Sequence, residues 1–332
     1  MSKTPHFPPP PPIPEKTRLF QRTPPAIFPP IMGLFGLGLA WRRAAEGFGV
    51  PAAFGDMILG AVTLLYLFCL VAYVAKFMQR PATFFEDLKI LPGRAGIVAL
   101  ALSGYLMATT VVPFSTTLAG VIFGLALAVH VVVALRVAYT LITGPIEARS
   151  VTPVWHLLFV GFIISPLAAL SLGLYAYSTT VFWVSLAIAV AIWGASLAQF
   201  VRASVPAPLR PLLAIHLAPA SVLGTVAFLI GQPLMGIILG LLAVLIASVL
   251  ILRARWLAEA GFSPLWGAFT FPLAAFATLL QMLNLVVASD LLRILSGLVL
   301  VAATLIIPPI AYKVLMMWSK GVLAVKTNAA QA

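Results

Sequence analysis

The sequence predicts an all-α integral membrane protein: ten transmembrane helices forming five parallel helical hairpins around a central pore, with pseudo-five-fold symmetry. Composition is the first reason. The 332 residues are 62% hydrophobic and only 8% charged, with a mean hydropathy of +1.11. A soluble domain carries about 25% charged residues, so lipid must be the solvent for most of this chain. The second reason is pattern. Apolar residues form long unbroken runs, which excludes a transmembrane β-barrel with its alternating strands. The third is where the charge sits. A formal net charge of +12 resembles a nucleic-acid signature, but the basic residues lie in short segments between apolar runs, as membrane topology requires. A soluble enzyme, a nucleic-acid binder and a disordered protein are excluded together.

Residues 1–24 hold the proline run Pro8 to Pro12 between Lys3 and Lys16 and read as a disordered Pro-rich cytoplasmic tail. No apolar core of a cleavable signal precedes Thr23. Ten runs near the roughly 20 residues that cross a bilayer follow. They lie at 26–43, 54–77, 91–112, 116–142, 153–173, 179–201, 209–229, 233–252, 263–287 and 290–315. They make one domain over 25–318, and 319–332 is a second cytoplasmic tail. With the N-terminus inside, only Arg42, Arg43 and Arg293 of the 20 Lys and Arg residues fall outside, leaving 17 on the cytoplasmic side. The positive-inside rule then places both termini in the cytoplasm and the protein in the cytoplasmic (inner) membrane. Trp41, Tyr175, Tyr177 and Trp183 mark the outer interface, and Trp155, Trp256, Trp266 and Trp318 the inner one. Cys69 is the single cysteine, so there is no intrachain disulfide.

Each odd-numbered span rises from the cytoplasm, turns tightly and returns as an even one. The odd spans recur every 55 to 65 residues or so with one polarity, the pattern of parallel repeats about an axis along the membrane normal. Their composition is distinctive. The first holds Pro29, Pro30, Gly33, Gly36 and Gly38, and the third Gly96, Ser103 and Gly104. The fifth holds Pro153, Gly161 and Pro166, the seventh Pro211, Pro219 and Gly224, and the ninth Pro264 and Pro272. The second, fourth and sixth spans contain no proline. Proline bends a helix and frees a backbone carbonyl, which a membrane tolerates where protein or a water-filled cavity meets it. The odd helices are therefore expected to ring a conduit and the even ones to face lipid. Small residues that simply let helices pack closely are the alternative.

Ionisable residues inside membranes are functional candidates, and this chain has few. Glu15, Glu46, Glu86, Asp87, Glu147 and Glu259 lie in tails or loops, and Asp56 and Asp290 at the outer ends of spans. No mid-membrane carboxylate can hold a cation or relay protons. His130, His156 and His216 are the histidines within spans, and none pairs on one helix at metal-ligand spacing. A hydrogen-bonded packing role is the default for each. His216, three residues before Pro219, can also offer a polar contact, or a charge, to a solute. No nucleophile–base set, phosphate loop or nucleotide motif is present, so neither enzymatic activity, a cofactor nor a metal is expected. A conduit without buried acids, behind a basic rim that concentrates anions, suits small inorganic or organic anions.

Residues 261–278, which include Trp266-Gly267-Ala268-Phe269-Thr270-Phe271-Pro272, resemble the ninth helix of the tellurite-resistance/dicarboxylate transporter family. That family includes the plant slow-type anion channels. Phe28 to Trp41 and Arg210 to Pro219 resemble it too. The resemblance implies ten helices in five hairpins, a pore within each protomer, a homotrimer, and a phenylalanine that plugs the pore from the ninth helix. Phe271 matches that position, with Phe269 as the fallback. Pro272 independently biases Phe271 away from helical geometry, although a packed core ring is the competing reading. His216 stands where family members more often carry an apolar residue. The candidate pore-lining positions are Gly36, Gly104, Gly161, Pro166, His216, Pro219, Gly224, Pro272 and Thr278. The leading expectation is an anion channel gated by Phe271. A proton-linked C4-dicarboxylate (malate) or tellurite-related carrier, and a non-transporting scaffold docked through the Pro-rich tail, are the alternatives.

Overall fold

Proline and glycine set the boundaries of the elements. A computed structural model describes residues 18–144 and 150–332; the Pro8 to Pro12 run, Glu147 and Arg149 lie outside the described residues. Helix α1 (Phe28–Phe48) opens on Pro29 and Pro30, where a missing N–H costs no intrahelical bond. It closes at Gly49, whose φ of 68° is left-handed and whose N–H bonds the Ala45 carbonyl. Next come α2 (Ala53–Gln79), α3 (Ala82–Lys89), α4 (Leu91–Val111, with Pro92 in its first turn) and α5 (Thr116–Thr143). The Ser115 hydroxyl caps α5 by accepting from the Leu118 N–H at 3.2 Å.

The chain then changes character. A π-helical turn (His156–Val160) and a 3₁₀ turn (Gly161–Ile164) lead into the short α6 (Pro166–Ala169). After α7 (Tyr175–Arg202), a 3₁₀ segment (Ala207–His216) precedes α8 (Leu217–Leu229). Beyond α9 (Pro233–Leu252) and α10 (Ala254–Leu257), a 3₁₀ turn (Pro264–Phe269) precedes α11 (Thr270–Val287). The chain closes with α12 (Asp290–Ser319) and α13 (Val322–Lys326). There is no strand among the described residues.

Among the described residues, eight helical stretches are long and apolar enough to cross a membrane: α2, α4, α5, α7, 207–229, α9, 264–287 and α12. Two of the ten expected spans differ. Helix α1 has the length, but Arg42, Arg43 and Glu46 in its last turns lower its apolarity. The fifth is broken, because Pro166 cannot donate to the Phe162 carbonyl; the Ser165 hydroxyl donates to that carbonyl instead, at 2.7 Å.

Burial sorts the long helices into two groups. In α4, 207–229 and 264–287, 72%, 83% and 67% of the most apolar stretch is buried, against 28–33% in α2, α5, α7, α9 and α12. The second group displays large apolar side chains such as Leu64, Val132, Leu245 and Leu298. Such a surface is stable against lipid and unstable against water. Contacts run in a closed circuit: α1 packs on α4, α4 on the broken segment 156–169, that segment on α8, α8 on α11, and α11 back on α1. Each member also packs on the exposed helix that follows it: α2, α5, α7, α9 and α12 respectively. Glycine permits the tightest approaches. A Cβ on Gly33 would lie 2.3 Å from the Thr270 side chain, and one on Gly96 2.2 Å from the Pro25 carbonyl oxygen.

Both ends of the described chain meet at one end of this bundle. Residues 18–24, expected to continue the coil tail, form turns with Thr23 buried. The Lys76 ammonium donates to the Thr23 carbonyl at 3.1 Å and to Asp87 Oδ2 at 2.7 Å. The Tyr73 hydroxyl donates to the same Asp87 oxygen at 3.1 Å, and the Ala330 N–H to Asp87 Oδ1 at 2.8 Å. The segment after α12 is thus docked, with Leu323 and Ala324 buried.

Candidate functional site

Four of the five inner elements begin the same way. Pro29, Pro92, Pro219 and Pro272 stand in the first turns of α1, α4, α8 and α11. In the last two, the proline follows a 3₁₀ segment that enters the helix at an angle set before the α-helical bonds begin. Thr270 fixes the start of α11: its hydroxyl donates to the Gly267 carbonyl at 2.7 Å and lies 3.2 Å from the Pro29 carbonyl on α1.

These first turns surround a cavity of about 70 Å³. Its wall draws on every member of the circuit: Pro29 of α1, Pro92 and Ala95 of α4, His156 and Gly161 of the broken segment, Pro219 and Val222 of α8, and Phe271 and Pro272 of α11. It lies at the end where residues 25–27 lead into α1, and Ala26 lines it. A second cavity of about 40 Å³ lies further along the same helices, between Gly36, Leu106, Leu167, Val222, Thr225, Phe271 and Thr278. Phe271 and Val222 border both. The Phe271 side chain is buried, and its Cδ2 lies 3.2 Å from where a Cβ on Gly36 would stand, so Gly36 makes room for the ring.

Both cavities are walled mainly by carbon, with Thr225 and Thr278 supplying hydroxyls to the second. Those hydroxyls donate back to the Ser221 and Ala274 carbonyls, at 2.9 and 3.2 Å. The first turns of α1 and α4 reach the first cavity, whereas α8 and α11 continue 3₁₀ segments whose carbonyls already accept the Leu217 and Thr270 N–H groups.

The other sequence candidates distribute as follows. Pro219, Pro272 and Gly161 line the first cavity, Gly36 and Thr278 the second. Gly104 and Gly224 stand outside both. A Cβ on Gly104 would lie 2.8 Å from that of Ala126, and one on Gly224 2.8 Å from Leu279 Cδ1, so these glycines hold α4 against α5 and α8 against α11. Pro166 starts α6 without lining either cavity, and the Phe269 ring leans on Trp266 with centroids 5.6 Å apart. His216 lies behind the wall of the first cavity, its Nδ1 3.0 Å from Nε2 of His156. That pairing was not read from the sequence, where the two histidines are 60 residues apart. The available signal was that both stand within the first eight residues of consecutive inner spans. His130 is accounted for locally, by the Tyr105 hydroxyl at 3.2 Å and the Leu158 carbonyl at 3.0 Å.

Compared with protein-family models, residues 22–315 match the SLAC1 family, described as voltage-dependent anion channel. The chain belongs to the SLAC1 family. No curated protein matches it in sequence. The family assignment and the eight membrane-length helices together make this a multi-pass membrane protein of an anion channel and transporter family. The match ends at residue 315, before the docked segment that carries Ala330.

Proposed function

We propose that this SLAC1 family member is a passive channel for small anions, closed by the Phe271 side chain. The observation that carries the reading is that the buried Phe271 borders both cavities, as the smaller Val222 also does, and we read its ring as the barrier between them. The basic rim concentrates anions at the mouth, and a hydrophobic constriction holds the path shut by dewetting. Gly36, Gly161, Pro219, Pro272 and Thr278 are the lining positions of this path. In this reading the chain crosses the membrane ten times, as five hairpins about a pore with approximate five-fold symmetry. The closed circuit of α1, α4, segment 156–169, α8 and α11, each backed by one exposed helix, supports that arrangement.

Both termini face the cytoplasm, and the protein resides in the inner membrane as a homotrimer with one pore per protomer. The 17-to-3 distribution of basic residues supports the orientation, and the family resemblance the trimer. Cysteines introduced at Ser2 and Gln331 are expected to be shielded from an impermeant thiol reagent in intact cells. Labelling of both would reverse the orientation, and labelling of one would overturn the even number of crossings.

Liposomes containing the purified protein test the function. Chloride and nitrate flux is expected to be conductive and to resist saturation. Slow, saturable and electroneutral flux of malate or tellurite would replace the channel with a carrier, and no flux of any anion would leave a scaffold.

A further inference from the structure

Among the described residues that line the first cavity, His156 is the one titratable side chain. It is 2% exposed and His216 is 8% exposed. The single hydrogen bond between them, Nε2 to Nδ1 at 3.0 Å, leaves His156 Nδ1 and His216 Nε2 without partners. Two neutral imidazoles sharing one proton present one remaining N–H and one bare nitrogen, whichever tautomer holds. The bare nitrogen is the unusual element, because buried polar atoms are almost always bonded. A single added proton changes the arithmetic: the central bond is kept and both outer nitrogens become donors.

That added charge has no counter-ion among the described residues. No charged side chain is bonded to either ring among the described residues. Helix α7 brings the neutral Trp193, whose indole N–H donates to the His216 carbonyl, and the Phe200 ring. Arg210, on the same 3₁₀ segment as His216, is paired with Glu259. Arg94 of α4 donates to the Leu88 carbonyl, and His130 of α5 is bonded at both ring nitrogens. The wall on the remaining sides is apolar. A lone proton on the pair is therefore an uncompensated buried charge, and a lone anion in the cavity is another; each is costly alone and far less so together.

We propose that the His156–His216 pair is an anion-binding site of the first cavity that takes up one proton with each bound anion. The ligand class is a small monovalent anion, with the imidazolium pair as its counter-charge. The site deepens the channel reading and rests on it for its place on the permeation path, although binding can be measured without transport. Binding and protonation are reciprocal. While the unprotonated pair predominates, nitrate affinity is expected to rise by about tenfold for each unit fall in pH.

The test uses the full-length protein in detergent, with nitrate as the probe. Titration calorimetry between pH 5.5 and 7.5, repeated in buffers of different ionisation enthalpy, reads affinity and proton uptake together. About one proton per nitrate is expected in the wild type, by the one-to-one linkage of the site. The His156→Gln, His216→Asn double variant keeps amide groups at the positions of the bonded nitrogens and cannot take up the proton. It is expected to lose both proton uptake and pH dependence, while His130→Gln keeps them. Nitrate binding in the wild type without proton uptake, no nitrate binding at pH 5.5, or pH dependence that survives in the double variant would each overturn the site. The wild-type measurement decides even if the double variant does not fold. If the liposomes pass no anion yet proton-linked nitrate binding is found, the channel reading fails and the site stands. Conduction with pH-independent binding sinks the site and leaves the channel.

Discussion

Phe271→Ala is expected to raise anion flux through reconstituted protein by on the order of tenfold or more, the factor that about 1.4 kcal/mol off a barrier gives. The argument is volumetric. Phe271 borders both cavities, of about 70 and 40 Å³, and if its ring is what separates them, truncation joins the two. The joined space can hold a continuous column of water, which the carbon-lined constriction otherwise excludes. If Phe271 is instead an ordinary core ring, truncation costs about 3–5 kcal/mol through the cavity it leaves. The two readings therefore differ in sign: a gate gives a folded protein that conducts more, a core ring a poorly expressed one that conducts less. Phe269→Ala is the matched control, because its ring leans on Trp266 and lines neither cavity. A folded Phe271→Ala protein with unchanged flux would sink the gate. A rise in Phe269→Ala alone would transfer the role to that residue.

The spans were legible in outline because residues that punctuate the chain also punctuate the fold, although Pro219 and Pro272, read as bends inside spans beginning at 209 and 263, stand in the first turns of α8 and α11 after 3₁₀ segments. Pro29, Pro92, Pro219 and Pro272 each open an inner helix, and the stretches without proline at 54–77, 116–142 and 179–201 are the exposed α2, α5 and α7. Phe271 was singled out by the family pattern around it; the departure from helical geometry expected from Pro272 is not found, because Phe271 lies in the first turn of α11, where a proline at the next position is accommodated. Small residues were harder to read. A glycine that makes room for a cavity and one that lets two helices touch look alike in sequence, since both need only a missing side chain. Gly36 and Gly161 line cavities, whereas Gly104 and Gly224 meet Ala126 and Leu279. Pairings across long separations were not legible at all. The His156–His216 bond, and the burial of Asp87 beneath Ala330, depend on which helices become neighbours, and apolar run lengths carry no record of that. Asp87 in particular reads as a loop acid, because it belongs to the short α3 between two spans.

Asp87→Ala is expected to produce the largest single loss of stability in the protein. Its carboxylate and the Lys76 ammonium are 2.7 Å apart with both side chains 0% exposed. Tyr73 and the Ala330 backbone satisfy the remaining acceptor positions, and Thr23 takes a further Lys76 proton. Removing the acid leaves the lysine charge buried without a partner, at a cost of about 3–5 kcal/mol. Replacing both partners, as Lys76→Met with Asp87→Leu, removes the charge along with its counter-charge and is expected to recover most of that loss. Thermal unfolding in detergent of wild type, Lys76→Met, Asp87→Leu and the double variant measures the coupling directly. The Ala330 N–H loses its acceptor in every Asp87 variant, so proteolysis after residue 319 should accelerate in each, including the double variant whose stability recovers. The effect should also reach the first cavity, because Thr23 lies three residues before Ala26 in its wall. A single Asp87→Ala variant that unfolds within about 1 kcal/mol of wild type, the range of an exposed ion pair, would show that the charges reach water and that this end of the bundle is not closed by them.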